Sequence, residues 1–375
     1  SFIQFFIFLC FVVVQLNLNN IFMYKPKFNY LNFLSVLLFL IFFVSVFIAN
    51  GKVNFDAESI FKFLTYITCI YIFFVHFSRI IFSDDEKFYN FLKVIVYFAV
   101  ADAIFAIFSK FTGFRYSTSF PSHSLGFFSH PNTHSFVFTI SLPVLFFLYF
   151  DKKIRLSFFL ISLFLLAYNL MTTYSRTGMI ITAFAVLLVT FFYSKKVFFI
   201  SVALILVSAS IVVANINAVK TDSSLSRALL ILAAIQMILE SPFHFFWGYG
   251  IFEAIEVFKT EKVFLGSLEI VVDPHNLILL LGIQFGMLVP LISLVIYFYV
   301  IIKSFLSIKK LKKTENFKKI ILALSLCLGL FLQNMFEDII VYPEYFVMPI
   351  FLVFLGYLYC NIKLAEGLIH TQSSL

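Results

Sequence analysis

Three ionisable side chains sit in this chain where an apolar sequence has little reason to keep them: Arg176, Arg227 and His275. Arg176 lies in Tyr174-Ser175-Arg176-Thr177-Gly178, a tight connection between two apolar runs. Arg227 lies on an amphipathic stretch from about Ser223 to Leu239, with Ser223 or Ser224 placed to cap it and Ser241-Pro242 placed to end it. His275 lies in Pro274-His275-Asn276-Leu277, at the mouth of the next apolar run. Guanidinium forks bind phosphate bidentately and stay charged at any pH of interest. Two of them beside a neutral imidazole form an oxyanion clamp with a general base. That set suits transfer of a group from a phosphate leaving group to a hydroxyl.

Each residue also has a plainer reading. Arg176 can snorkel toward headgroups as an interfacial anchor, Arg227 can lie on a solvated helix face, and His275 can be a hydrogen-bonded residue at a helix start. A further set ranks below these as substrate-holding candidates: Arg115, Tyr174, Asn276, Lys62 and Asp102. Arg115 also reads as a plain loop charge. Asp102, in Ala101-Asp102-Ala103, falls inside an apolar run, where an acid is a functional candidate by default; it reads equally as the ion-pair partner of Lys110 or Lys62. His123, His130 and His134 cluster in sequence, the last two at helical i,i+4 spacing, but no carboxylate or cysteine accompanies them locally. The expectation is therefore no metal and no cofactor.

The elements that must position these groups are membrane helices. Of 375 residues, 62% are hydrophobic and 12% charged, against about 25% charged in a soluble domain. Apolar runs fall at roughly 2–22, 31–49, 60–82, 90–109, 132–150, 155–172, 178–193, 197–214, 276–302, 319–336 and 345–362, each near the length that crosses ~30 Å of hydrocarbon. The runs are continuous rather than alternating, which excludes a β-barrel. The expected class is all-α: a polytopic transmembrane protein with about eleven spans, or twelve if a first helix precedes this chain. Residues 1–23 have no basic n-region and read as a span rather than a signal peptide. The whole of 1–375 is expected to be one integral membrane domain, with 215–274 as a large external loop carrying short helices. The 57 Phe reflect codon bias more than a ligand box, and the four cysteines are too scattered for a disulfide framework or zinc spacing.

Net charge is +8, but the bases are distributed as a membrane topology signal rather than as a nucleic-acid footprint. Lys25 and Lys27, then Lys152, Lys153 and Arg155, then Lys195 and Lys196, then Lys309 through Lys319 fall on one side by span counting, which must be the cytoplasm. The opposite side receives 110–131, 173–177, 215–274 and 337–344, and with them Arg115, Arg176, Arg227 and His275. The chain lacks a phosphate-binding P-loop, a dinucleotide fingerprint and a serine elbow, and shows no clear internal repeat.

Ser175-Arg176-Thr177-Gly178 at the head of an apolar helix resembles the O-antigen ligase and O-antigen polymerase superfamily of bacterial membrane glycosyltransferases. So do Gly126 through Pro131-Asn132, Arg227 followed by Ser241-Pro242 and Gly248-Tyr249-Gly250, and Pro274-His275-Asn276 ahead of Gly282 and Gly286. The similarity spans roughly 110–360. It implies an arrangement like class C glycosyltransferases and an undecaprenyl-diphosphate-linked glycan donor. It also implies an acceptor that is lipid A–core (ligase) or another lipid-linked repeat (polymerase). Carried over, Arg176 and Arg227 would hold the diphosphate and His275 would activate the acceptor hydroxyl, inverting the anomeric centre without a metal. The expected location is the bacterial inner membrane with the site facing the periplasm, where an activated donor has to be lipid-linked because nucleotide sugars are not supplied. The reading from another class is a polytopic solute or anion transporter, which charges at the bilayer midplane would favour.

Overall fold

The structure, a computed structural model, describes residues 30–46, 48–49, 52–53, 57–113, 123–128, 130–203, 222–250, 253–264, 274–311, 315–337, 339–341 and 346–365. The expected span 2–22, most of the expected span 197–214, Arg115 and the Lys62 side chain lie outside the described residues. The helices in chain order are α1 (Tyr30–Val46), α2 (Ala57–Cys69), α3 (Ser78–Phe82), α4 (Asp85–Thr112), α5 (Pro131–Phe150), α6 (Leu156–Thr172), α7 (Arg176–Tyr193), α8 (Asp222–Leu239), α9 (Pro242–Trp247), α10 (Glu253–Phe264), α11 (Leu277–Phe285), α12 (Leu288–Leu311), α13 (Glu315–Asn334) and α14 (Val347–Ala365). A π-helical stretch, Ile70–Phe77, joins α2 to α3, and a two-residue hairpin pairs Ile48–Ala49 with Lys52–Val53. Among the described residues six helices are long and apolar enough to cross a membrane, and four shorter apolar helices accompany them. The protein is an all-α polytopic membrane protein.

The chain divides into two compact units. The first holds α1, α2, α8 to α11 and most of α12; the second holds α3 to α7, the end of α12, α13 and most of α14.

In the second unit α5 is the axis. It is buried along almost its whole length and touches α4, α6, α7 and α13. Its sequence is apolar on every face, which suits a helix enclosed by neighbours. His130 caps it, its ring accepting the Asn132 N–H at 3.2 Å, and Pro131 opens the first turn, where a missing N–H is harmless. Small hydroxyl residues stitch it to its surroundings. Thr139 and Thr182 share a hydrogen bond of 2.8 Å, and two of the helices around it are joined in the same way, Ser325 of α13 donating to the Ala185 carbonyl of α7 at 2.6 Å. In lipid such interhelical bonds contribute about 0.6–2 kcal/mol each.

The two ends of this unit differ in chemistry. At one, Lys319 pairs with Asp85 at 2.5 Å, and Lys318 pairs with Asp151 at 3.0 Å, while the Tyr89 hydroxyl donates to Asp151 at 2.6 Å. At the other, Ser124 is bonded to the end of α6, and Asn132 donates to the Glu337 carboxylate. The span counting that grouped 151–155 with 309–319, and 110–131 with 173–177 and 337–344, agrees with these contacts.

In the first unit, the expected continuous span 276–302 is not one helix. It breaks at Gly286 (φ +77), so that nine-residue α11 precedes a separate α12. The cause lies some forty residues earlier. The Met287 N–H donates to the Phe245 carbonyl (2.7 Å), the Tyr249 N–H to Ile283 (2.8 Å), and the Gly250 N–H to Gln284 (3.0 Å). The last carbonyls of α11 are thus satisfied by the Gly248-Tyr249-Gly250 turn instead of by a continuing helix. A side chain at 286 would overlap the Phe246 carbonyl, so glycine is required by both backbone angle and space. Leu288–Ile308 alone still meets the length and hydropathy of a span. Val46, Phe63, Phe285 and Val289 form the core that joins α1 and α2 to this break, with the Phe42 and Phe285 rings 4.9 Å apart.

Candidate functional site

The short motifs singled out in the sequence turn out to be helix starts. Ser175 caps α7, its hydroxyl accepting the Gly178 N–H at 3.2 Å. Ser241 caps α9, accepting from His244 at 3.1 Å, with Pro242 in the first turn. Asn276 caps α11, its side-chain oxygen accepting from Ile278 (3.0 Å) and Leu279 (3.1 Å). Helix α8 begins at Asp222, so Ser223 and Ser224, the caps expected from sequence, fall inside its first turn. Each cap fixes the backbone beside a chemistry-bearing residue. Arg176 is the first helical residue of α7 and is exposed; His275 immediately precedes the Asn276 cap and is half-buried.

Backbone angles mark the same places. Only three described non-glycine residues have positive φ: Lys152, Tyr174 (+54) and His275 (+48). Two of the three adjoin or are candidate residues. Left-handed backbone at a non-glycine residue costs on the order of 1 kcal/mol or more and persists where surroundings enforce it, often at working sites.

Arg227 lies on α8, half-buried, in the same unit as His275. Helices α8 and α11 pack on each other, with Ile238 of α8 against Gly282 of α11. Between them the Ser241-Pro242 and Gly248-Tyr249-Gly250 motifs are tied together. The Tyr249 hydroxyl donates to the Glu240 carboxylate, and the His244 ring stacks on the Tyr249 ring at 3.9 Å. Glu240 and His244 carried no sequence signal beyond i,i+4 spacing.

Arg176 belongs to the other unit. Its helix start is seated on α5, since a side chain at Gly178 would lie 2.5 Å from Ser135 Cβ. Ser135 in turn donates to the Asn132 carbonyl (2.6 Å) and accepts from Gln333 Nε2 (2.8 Å). Tyr174 is exposed, and its ring meets the His123 ring edge-on at 5.3 Å. Partial burial lowers the His123 pKa below its ordinary value, favouring the neutral ring.

The sequence suggested Lys110 or Lys62 as the partner of Asp102, and the Lys62 side chain lies outside the described residues. Asp102 is paired with His134, at 2.7 Å, and both side chains are 0% exposed. The Phe127 N–H donates to its other oxygen at 2.8 Å. His134 thereby spends one ring nitrogen on Asp102 and the other, at 3.0 Å, on the Ser124 carbonyl, while the His130 ring serves as a cap. Among the described residues no three His, Cys, Asp or Glu side chains gather in a way that would hold a metal ion. The His134 pairing was unread in the sequence although its signal was present: two ionisable residues in neighbouring apolar runs, neither tolerable alone. Gln333 and Glu337, at the end of α13, were likewise missed.

Residues 160–294 match the family model described as O-Antigen ligase. No curated protein and no solved structure matches the chain. The matched stretch runs from inside α6 into α12 and takes in Arg176, Arg227, the Gly248-Tyr249-Gly250 turn and His275. Over residues 160–294, within an all-α polytopic membrane chain, this protein is thus similar to the O-antigen ligase family.

Proposed function

We propose that the protein is a membrane glycosyltransferase of the O-antigen ligase type. It takes a glycan from an undecaprenyl-diphosphate-linked donor and delivers it to a sugar hydroxyl of lipid A–core at the outer face of the inner membrane. The observation that carries this is the family match, which encloses Arg176, Arg227 and His275 together. Arg227 is proposed to hold the donor diphosphate, since a guanidinium neutralises phosphate charge that builds as the glycosidic bond to it breaks. His275 is proposed to take the acceptor hydroxyl's proton, from a backbone held in the left-handed region by the Asn276 cap beside it. Attack on the face opposite the leaving diphosphate would invert the anomeric centre, with no metal required.

Arg176 is proposed, from its own surroundings, to bind an anion. It is the first residue of an 18-residue helix, where the macrodipole disfavours a cation by about 0.3–1 kcal/mol. An anion seated on the guanidinium and the N–H groups of Arg176 and Thr177, ahead of the capped Gly178, removes the conflict. The transporter reading draws no support from Asp102 and His134, the paired ionisable residues within spans, because both side chains are wholly enclosed.

The test is transfer in purified vesicles from a defined lipid-diphosphate donor, offered lipid A–core or a second lipid-linked repeat, with and without chelator. Wild type should glycosylate lipid A–core and be indifferent to chelator. Arg227→Ala and His275→Ala should each cut kcat/KM by about 100-fold or more, the scale of a lost general base or charge clamp. Preference for the lipid-linked acceptor would make the protein a repeat-unit polymerase, and full activity in both variants would defeat the enzymatic assignment of these residues.

A further inference from the structure

The side chains of the Asp102–His134 pair are both 0% exposed, yet the pair is hydrogen-bonded at two points to one short segment. The Nδ1 of His134 faces the Ser124 carbonyl, which can only accept, so Nδ1 carries a hydrogen. Its Nε2 faces Asp102 Oδ2 at 2.7 Å. One proton therefore lies on that line, whether the pair is written as imidazolium and carboxylate or as imidazole and carboxylic acid. Asp102 Oδ1 accepts the Phe127 N–H. The turn from Ser124 to Phe127 is thus pinned at its first residue by the histidine and at its last by the aspartate. Gly126, at φ +53, lies directly on the carboxylate, where any side chain would overlap it.

The pinned turn then fixes the connection that carries Arg176. The Ser124 N–H donates to the Thr172 carbonyl at 2.8 Å, and the Ser124 hydroxyl donates to Asn169 Oδ1 at 2.9 Å. Asn169 passes the tie back to α4 through the Ala103 carbonyl, at 3.2 Å. Thr172 ends α6, and Thr173, Tyr174 and Ser175 follow before Arg176. The left-handed Tyr174 and its contact with His123 lie within this same clasp. His134 also neighbours Ser135, on which Gly178 is seated. Two separate routes, one through Ser124 and one through Ser135, run from the buried pair to the two sides of Arg176.

We propose that Asp102 and His134 are positioning residues for Arg176: a proton-sharing pair that locks the 124–127 turn and, through it, the α6–α7 connection. The activity arm of the test rests on the proposed transferase reading; the structural arm does not. Asparagine at 102 is the informative conservative change. Its oxygen still accepts from Phe127, its amide can donate to the His134 Nε2, and the geometry survives without a carboxylate.

The experiment compares full-length wild type, Asp102→Ala, Asp102→Asn, Ser124→Ala and Arg176→Ala in lipid nanodiscs. Amide hydrogen exchange and donor KM and kcat are read on each. Asp102→Ala should speed exchange about tenfold or more at 123–128 and also at 173–177. It should raise donor KM by about tenfold while kcat changes by less than about threefold. Asp102→Asn should restore most of both. Arg176→Ala should raise KM without opening either segment. If Asp102→Ala does not fold, Ser124→Ala still breaks one of the tie's hydrogen bonds and should open 173–177 to a smaller degree. Unchanged exchange at 173–177 in both folded variants overturns the proposal. So does loss of kcat in Asp102→Asn with both segments still protected, which would make the pair a proton-transfer group. A wild type that transfers nothing defeats the transferase reading alone and leaves the exchange arm to decide the clasp.

Discussion

At the scale of single residues, the candidate charges depend on small side chains that let helix starts come close. Gly178 is the clearest, because α7 approaches α5 at the point where a Cβ would meet Ser135. Gly178→Ala forces either helix to shift, with a cost of about 1–3 kcal/mol for overpacking a close-fitting contact. Thermal unfolding in detergent should show a lowered midpoint. Adding Ser135→Gly removes the colliding carbon and should recover part of the loss, so the two changes will not be additive. An additive pair would mean that the Gly178 contact is not what the alanine disturbs. This dependence was half legible: Ser175-Arg176-Thr177-Gly178 marks a helix start, but nothing local in the sequence says what Gly178 meets. The Asp102–His134 bond left a signal, two ionisable residues in neighbouring apolar runs, but no local pattern joins them, since 32 residues and a chain reversal separate the two.

At the scale of elements, the starts at Pro131 and Asn276 and the end of α8 before Ser241-Pro242 were readable, while the start of α8 and the break after α11 were not. Pro131 and Asn276 announce starts, and Ser241-Pro242, read as the end of α8, also opens α9, because capping is chemistry within one turn. The break at Gly286 escaped notice because the run 276–302 stays apolar through it, and the interrupting groups, Phe245 to Gly250, come from a distant segment. The consequence is that α11 is a short independent helix whose start depends on one side chain. Asn276→Ala removes the acceptor for two N–H groups and should cost about 1 kcal/mol, seen as a lower unfolding midpoint. It should also cut transfer activity, by loosening the left-handed His275. Asn276→Asp keeps an acceptor at the cap, adds a favourable charge at the helix start, and should preserve both. If the aspartate variant is fully stable but inactive, Asn276 contacts substrate directly, as its place in the motif first suggested, rather than acting as a cap.

At the scale of the molecule, the second unit has one lysine-paired end and one end carrying Arg176, and which faces the cytoplasm decides what donor is possible. Asp151, with Lys152, Lys153 and Arg155 behind it, meets Lys318; Asp85 meets Lys319. The acids satisfy two of the lysines but leave the end rich in base. Translocating such loops is disfavoured, and this bias orients the whole bundle. The sequence made this parity readable because each short loop reports its own side, and the contacts at the two ends repeat the grouping. Single cysteines at Lys152, Lys195, His123 and Tyr174, in a background with Cys10, Cys69, Cys327 and Cys360 replaced by alanine, test the orientation in spheroplasts. An impermeant maleimide should label the positions at His123 and Tyr174 from outside, and those at Lys152 and Lys195 only after lysis. The reverse pattern would put Arg176 in the cytoplasm, where nucleotide sugars are abundant, and would remove the reason for a lipid-linked donor. The expected pattern would leave the proposed donor its physical rationale: a glycan offered to Arg176 outside the cytoplasm would come on a lipid phosphate, and a guanidinium at a helix start is suited to receive that leaving group.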